Sequence, residues 1–180
     1  MKKKITLPLT KEEAATLKAG DMCYATGVLY TARDAAHKRL YESMEKGEQL
    51  PIELKNTVLY YLGPTPARPG NVIGSAGPTT SSRMDKYTPR LLDEGVSGVI
   101  GKGRRDSKVH ESMKKNGAVY FVAIGGAGAL LSKCIKSAEV VAYEDLGTEA
   151  IRKLWVEELP VVVAIDSTGK DYYEEVLING

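Results

Sequence analysis

The sequence predicts an α/β domain in which a small β layer packs on an α/β layer. Three observations lead there. The first sixty residues lean toward strand, and the second half alternates strand-like with helix-like segments, the pattern of a sheet covered by helices. The third is size: 180 residues with 43% hydrophobic and 27% charged content support one core, so positions 1–180 read as a single domain.

The elements follow in order. "KKITLPL" (3–9) alternates polar and apolar and reads as a strand. "TKEEAATLKAG" reads as a short helix with Thr10 as cap, Glu13 three residues on and Gly20 as its end. "MCYATGVLYTA" is β-rich and bends at Gly27. "TARDAAHKRLYESMEKGE" is the strongest helix, with Thr31 as cap, an apolar stripe of Ala35, Ala36, Leu40 and Met44, and Gly47 as stop. "NTVLYYLGP" is a strand that runs into "GPTPARPGNVIGSAGP", a loop too long and too punctuated to be idle.

Further on, "RLLDEG" ends a helical segment and "VSGVIGKG" is a strand ending in glycines. "SKVHESMKKNG" is a helix capped by Ser107, and "AVYFVAIGGAGALLSKCI" is a strand, a glycine turn and a helix. "AEVVAYEDLG" is a strand. "TEAIRKLWVEEL" reads as a helix capped by Thr148, and "PVVVAIDSTGKDYYEEV" as two strands about a Ser-Thr-Gly turn.

Composition narrows the function classes. A net charge of +2 offers no broad field for nucleic acid. No run is long and apolar enough for a membrane span, and the basic start lacks an apolar signal region, so a cytoplasmic protein is expected. Cys23 and Cys134 are far apart and outside any C-x-x-C pair, and with only His37 and His110 beside them no self-contained metal centre is expected.

Four stretches carry candidate chemistry. In "SAGPTTSSRMDKYTP", Thr79, Thr80, Ser81 and Ser82 each can cap a helix starting near Ser82. Four hydroxyls exceed what one cap needs, and with Arg83 they suggest a site for a small carboxylate or phosphate. "ARDAAHKR" puts Arg33 in the first turn of a helix, where the dipole disfavours a cation. Either a carboxylate held by its guanidinium fork or pairing with Asp34 accounts for it. "GKGRRD" sets Lys102 between glycines at a strand end, a placement that a merely solvated lysine does not need. Arg104 and Arg105 read as surface charge. "VAIGGAGAL" lacks the dinucleotide spacing; it is a tight strand–helix turn, or a set of backbone N–H groups facing an anion.

Together "GPTTSSRMD", "TARDAAH" and "GKGRRD…GAVYFVAIGGAGALL" resemble, over nearly the whole chain and in order, the β subunit or C-terminal part of class I iron–sulfur hydro-lyases. These are the fumarate hydratases of the 4Fe–4S type and L(+)-tartrate dehydratase. The resemblance implies a swivelling β/β/α domain. It implies reversible hydration of fumarate to malate by a hetero-oligomer whose separate α subunit carries the 4Fe–4S cluster, no metal being ligated by this chain. Dehydration of tartrate to oxaloacetate is the alternative, and a non-catalytic dicarboxylate-binding module a further one. By motif, Thr79 matches the group proposed as general base, or a member of a proton relay, and Lys102 the lysine near the substrate. Arg33 and Arg83 match carboxylate-holding arginines, with Thr80 beside them in the substrate-binding set. Asp34, His37 and Asp85 take supporting places, Asp85 as a brace for Arg83. Ser81-Ser82 and "GKGRRD" depart from the Ala-Gly and "GKGN" found in many fumarases.

Overall fold

The structure, a computed structural model, describes residues 2–124 and 128–174. Seven strands form one sheet: β1 (Lys2–Leu7), β2 (Met22–Thr31), β3 (Val58–Tyr60), β4 (Gly98–Gly101), β5 (Val119–Ala123), β6 (Ile135–Ala142) and β7 (Ile151–Ile165). Helices α1 (Lys11–Ala14), α2 (Asp34–Glu45), α3 (Thr88–Asp93), α4 (Ser107–Asn116) and α5 (Gly128–Ser132) connect them. Strands β1 to β5 pair in parallel, and β7 runs antiparallel to β2, β5 and β6. Because β7 is long enough to pair with β2 along one side and with β6 and then β5 along the other, the pairing β2–β3–β4–β5–β7 returns to β2.

Alternation along the strands separates two cores. Leu29, Val58, Tyr60, Ile100, Val119 and Phe121 join Leu154, Val156, Val161 and Val163 in the first. Their neighbours Leu59, Tyr61, Val99 and Tyr120 meet Ala36 and Leu40 of α2, Leu91 and Leu92 of α3, and Val109 and Met113 of α4 in the second. No helix among the described residues is long and apolar enough to cross a membrane.

Several local expectations change. The segment 148–159 is not a helix; most of it is the first half of β7. Ile151 and Leu154 fall at helical spacing because they lie on opposite faces of the strand, Ile151 in the second core and Leu154 in the first. Opposite Ala25–Gly27, β7 carries an extra residue, where Glu158 takes a left-handed φ of 49°. Among the described residues beyond Gly169 the chain makes a single bridge, Ile165 to Asp171, rather than a second strand.

Capping differs too. Helix α2 begins at Asp34, after an N-cap Arg33 that makes no side-chain cap bond, while Thr31 is buried at the end of β2. The Glu149 carboxylate instead accepts from the Ala35 N–H at 3.1 Å. The buried stripe of α2 is Ala36, His37, Leu40 and Met44, so His37 replaces Ala35. Helix α4 is capped by Asp106 Oδ1, which accepts from Val109 N–H at 2.9 Å, rather than by Ser107.

Candidate functional site

Parallel strands place their carboxyl ends along one edge, where ligands of open α/β sheets commonly bind. At this edge Arg33 follows β2, Gly63 follows β3 and Lys102 follows β4. The loop after β3 returns to the same edge: Thr79 N–H donates to the Tyr61 carbonyl at 2.8 Å, and Thr80 bridges to Lys102 in parallel register. A short 3-10 turn, Ser81–Met84, then carries Arg83 outward while Met84 packs inward. Gly125 and Gly126 of the turn after β5 lie outside the described residues.

The predicted residues Thr79, Thr80, Arg83, Asp34, Arg33 and Lys102 form one connected group. Arg83 Nε donates to Asp34 Oδ2 at 2.8 Å, and its Nη1 approaches Thr79 Oγ1 at 3.4 Å. Asp34 Oδ1 lies 3.8 Å from Arg33 Nε, so one carboxylate stands between two guanidinium groups. Arg33 Nε is buried without a hydrogen-bond partner. Gly63 makes room for this side chain: a Cβ there would sit 2.7 Å from Arg33 Cδ and 2.8 Å from its Nη1. Arg33, Arg83 and Lys102 bring three cations to the edge, against the carboxylates of Asp34 and of Glu149 at the start of α2. The surplus of cations suits a small anionic ligand.

The hydroxyl surplus divides cleanly. Ser81 is fully buried, its Oγ accepting from Lys102 N–H at 3.0 Å and bonding the Tyr120 hydroxyl at 2.8 Å, while its N–H donates to the Lys102 carbonyl at 2.9 Å. Gly101 is what admits it, because a Cβ on Gly101 would overlap Ser81 Oγ. Ser81 therefore fastens the threonine segment to the lysine turn. Ser82 and Thr80 are exposed, and Thr79 is half-buried.

Two predictions about acidic and basic neighbours are corrected. Asp85 does not brace Arg83; Asp34 does. Asp85 instead accepts from Arg105 Nε at 2.6 Å, and Arg105 is a buried residue rather than surface charge. Its sequence context, a polar "RRDS" run, carries no apolar signal for burial; only the tertiary pocket reveals it.

His37 lies beneath the edge. Its Nδ1 donates to the Arg33 carbonyl at 2.9 Å, and its ring packs edge-on to Tyr61. Burial pushes its imidazole down to about 4, an effect that the Arg33 carbonyl offsets in part. In the unfolded chain the same group titrates near 6.5. Stability from this site is thus complete above about pH 6.5 and falls as pH drops toward 4. His37→Phe keeps a packed ring that does not titrate. Urea unfolding at pH 7.5 and 4.5 is expected to show the wild type losing about 2–3 kcal/mol more than the variant; equal losses would contradict a neutral buried His37.

An iron–sulfur cluster needs several thiolate ligands, and among the described residues neither Cys23 nor Cys134 lies in a group of potential metal ligands. Cys23 is fully buried near the start of β2, the end away from the site, and burial pushes its thiol up to about 11. Cys134 is half-buried, and burial raises it also. Away from the edge, His110, Asp171 and Glu174 converge, but His110 Nε2 is taken up by Asp171 Oδ2 at 2.6 Å.

Comparison with known proteins identifies the family. Residues 1–176 match the family model described as the fumarase C-terminus. The aerobic class I fumarate hydratase of Escherichia coli K12 is 41% identical over 152 residues, which cover 83% of this chain and 28% of that protein. Fumarate hydratase 2 of Leishmania major is 37% identical over 169 residues, covering 93% of this chain and 30% of the relative. The chain thus spans less than a third of these fumarate hydratases. A putative L(+)-tartrate dehydratase subunit beta from Methanocaldococcus jannaschii is 37% identical over 174 residues, covering 93% of this chain and 89% of the relative. With the match running through every element that builds the edge, the chain belongs to the fumarase C-terminus family.

Proposed function

We propose that this chain is the β subunit of a heteromeric hydro-lyase that adds water reversibly across fumarate to give malate. The observation that carries the reading is Arg83, held by Asp34 and reaching Thr79, on an edge shared with Arg33 and Lys102. The two carboxylates of the substrate would take the guanidinium groups of Arg83 and Arg33, with Thr80 and Lys102 beside them.

In the dehydrating direction a proton leaves the carbon next to a carboxylate. That proton is weakly acidic, and charge builds on the carboxylate as it departs, so fixed cations are required where it develops. Arg33, Arg83 and Lys102 supply them. Thr79 would move the proton. A free hydroxyl is too weak a base for this, and the Arg83 guanidinium beside Thr79 Oγ1 supports either a stabilised alkoxide or a relay to water. We assign the 4Fe–4S cluster to a separate α subunit, since Cys23 is sealed in the core and among the described residues neither cysteine joins a group of potential ligands. The domain is taken, on the family resemblance, to be of the swivelling β/β/α type, working in the cytoplasm.

A second reading, the β subunit of an L(+)-tartrate dehydratase, has its own support: the chain has nearly the length of the Methanocaldococcus relative bearing that printed name. The test assays the assembled enzyme with fumarate, malate and L-tartrate under anaerobic conditions. Turnover of fumarate and malate is expected; turnover of tartrate alone selects the second reading, and none with any of the three overturns both.

A further inference from the structure

Arg105 is buried with a side chain 0% exposed. Its Nε donates to Asp85 Oδ1 at 2.6 Å, and its Nη2 donates to Thr88 Oγ1 at 2.7 Å and to the Tyr61 hydroxyl at 3.1 Å. The guanidinium carbon lies 5.2 Å from the Tyr61 ring centre and 4.9 Å from that of Tyr120. One nitrogen, Nη1, has no hydrogen-bond partner.

A buried ion pair is seldom the most stable filling of such a space, because desolvation consumes most of the attraction, and an unpaired nitrogen adds to the cost. What Arg105 does supply is connection. Asp85 closes the 3-10 turn that carries Arg83, and its second oxygen accepts from Asp106 N–H at 3.0 Å. Tyr120 continues the network: its hydroxyl donates to the Gly103 carbonyl at 2.7 Å and bonds Ser81 Oγ, which in turn accepts from Lys102 N–H. The Thr79–Asp85 and Gly101–Asp106 segments are therefore tied at one end by Thr80 and Ser81 with Lys102, and at the other by Asp85 with Arg105.

We propose that Arg105 is a positioning residue for the hydration reaction: it holds Thr79, Arg83 and Lys102 in mutual register from below without touching substrate. This rests on the functional reading above. A guanidinium suits the task because its planar fork meets Asp85, Thr88 and Tyr61 at once, which an ammonium cannot do.

The test uses the full chain with Arg105→Met and Arg105→Lys. Amide hydrogen exchange should accelerate at least about tenfold at Ser81, Lys102 and Asp106 in both variants, while the sheet amide of Tyr61 stays near wild type. In the assembled enzyme, kcat should fall roughly 10–100-fold with KM within about threefold, the loss expected when reacting groups are misplaced rather than removed. Should the Met variant not fold, the Lys variant gives the same two readings. Unchanged exchange at Ser81 and Lys102, exchange raised evenly through the sheet, or full turnover in both variants overturns the proposal. An assembled wild type that turns over no dicarboxylate overturns the functional reading instead, and local acceleration of exchange would then still show the bracing by Arg105.

Discussion

Replacing Thr79 with valine is expected to reduce turnover of the assembled enzyme by 10²–10⁴-fold, the range for loss of a positioned proton-transfer group. The side chain is half-buried and, among the described residues, its hydroxyl meets only the long contact from Arg83, so the fold has little to lose. Substrate affinity should change far less than kcat, because Arg83 keeps its bond to Asp34 in the variant. A purely binding role for Thr79 predicts the reverse split: a raised KM with kcat preserved. Steady-state kinetics on fumarate and malate, with a thermal melt of each protein as control, separates the two.

The largest effect on stability is expected at Gly101→Ala. Its added Cβ would overlap Ser81 Oγ and lie 2.8 Å from Tyr61 Cδ2, two groups that are themselves fully buried. Overpacking alone costs about 1–3 kcal/mol. Displacing Ser81 also strands the Lys102 N–H and disturbs the Tyr120 hydroxyl, each buried polar group costing about 1–3 kcal/mol when left unpaired. A loss of about 3 kcal/mol or more follows, or roughly 10 °C in Tm for a chain of this size. Ser81→Gly in the same chain should recover part of it, because one of the two colliding groups is gone; strict additivity of the two substitutions would deny the contact.

These two positions also show what a sequence can and cannot disclose. Thr79 and Arg83 stand out because the run of hydroxyls exceeds the needs of one helix cap, and Lys102 because glycines flank it. Strands β3 to β5 are evident as short apolar runs between glycines and polar turns. The division of labour between Ser81 and Ser82 is not evident, since it depends on Tyr120 arriving from a strand far along the chain. The same holds for Arg105, which a polar neighbourhood disguises as surface charge, and for Glu149, which caps α2 across more than a hundred residues. The first half of β7 misleads for a physical reason. Both of its faces are buried, so Ile151 in one core and Leu154 in the other imitate a helix stripe while each side of the strand is pairing with a neighbour.

In the function proposed above the site is one half of a catalyst, with dicarboxylate-holding and proton-transferring groups in this chain and metal chemistry elsewhere. Titrating the purified chain into a fixed amount of cluster-loaded partner subunit, with anaerobic assay of fumarate hydration, tests it most directly. Expected are no activity from either protein alone, activity that rises to a plateau at a fixed stoichiometry on mixing, and loss of that activity with Arg83→Met chain that still assembles. Hydration by this chain alone, or full activity of the Arg83→Met assembly, would contradict it.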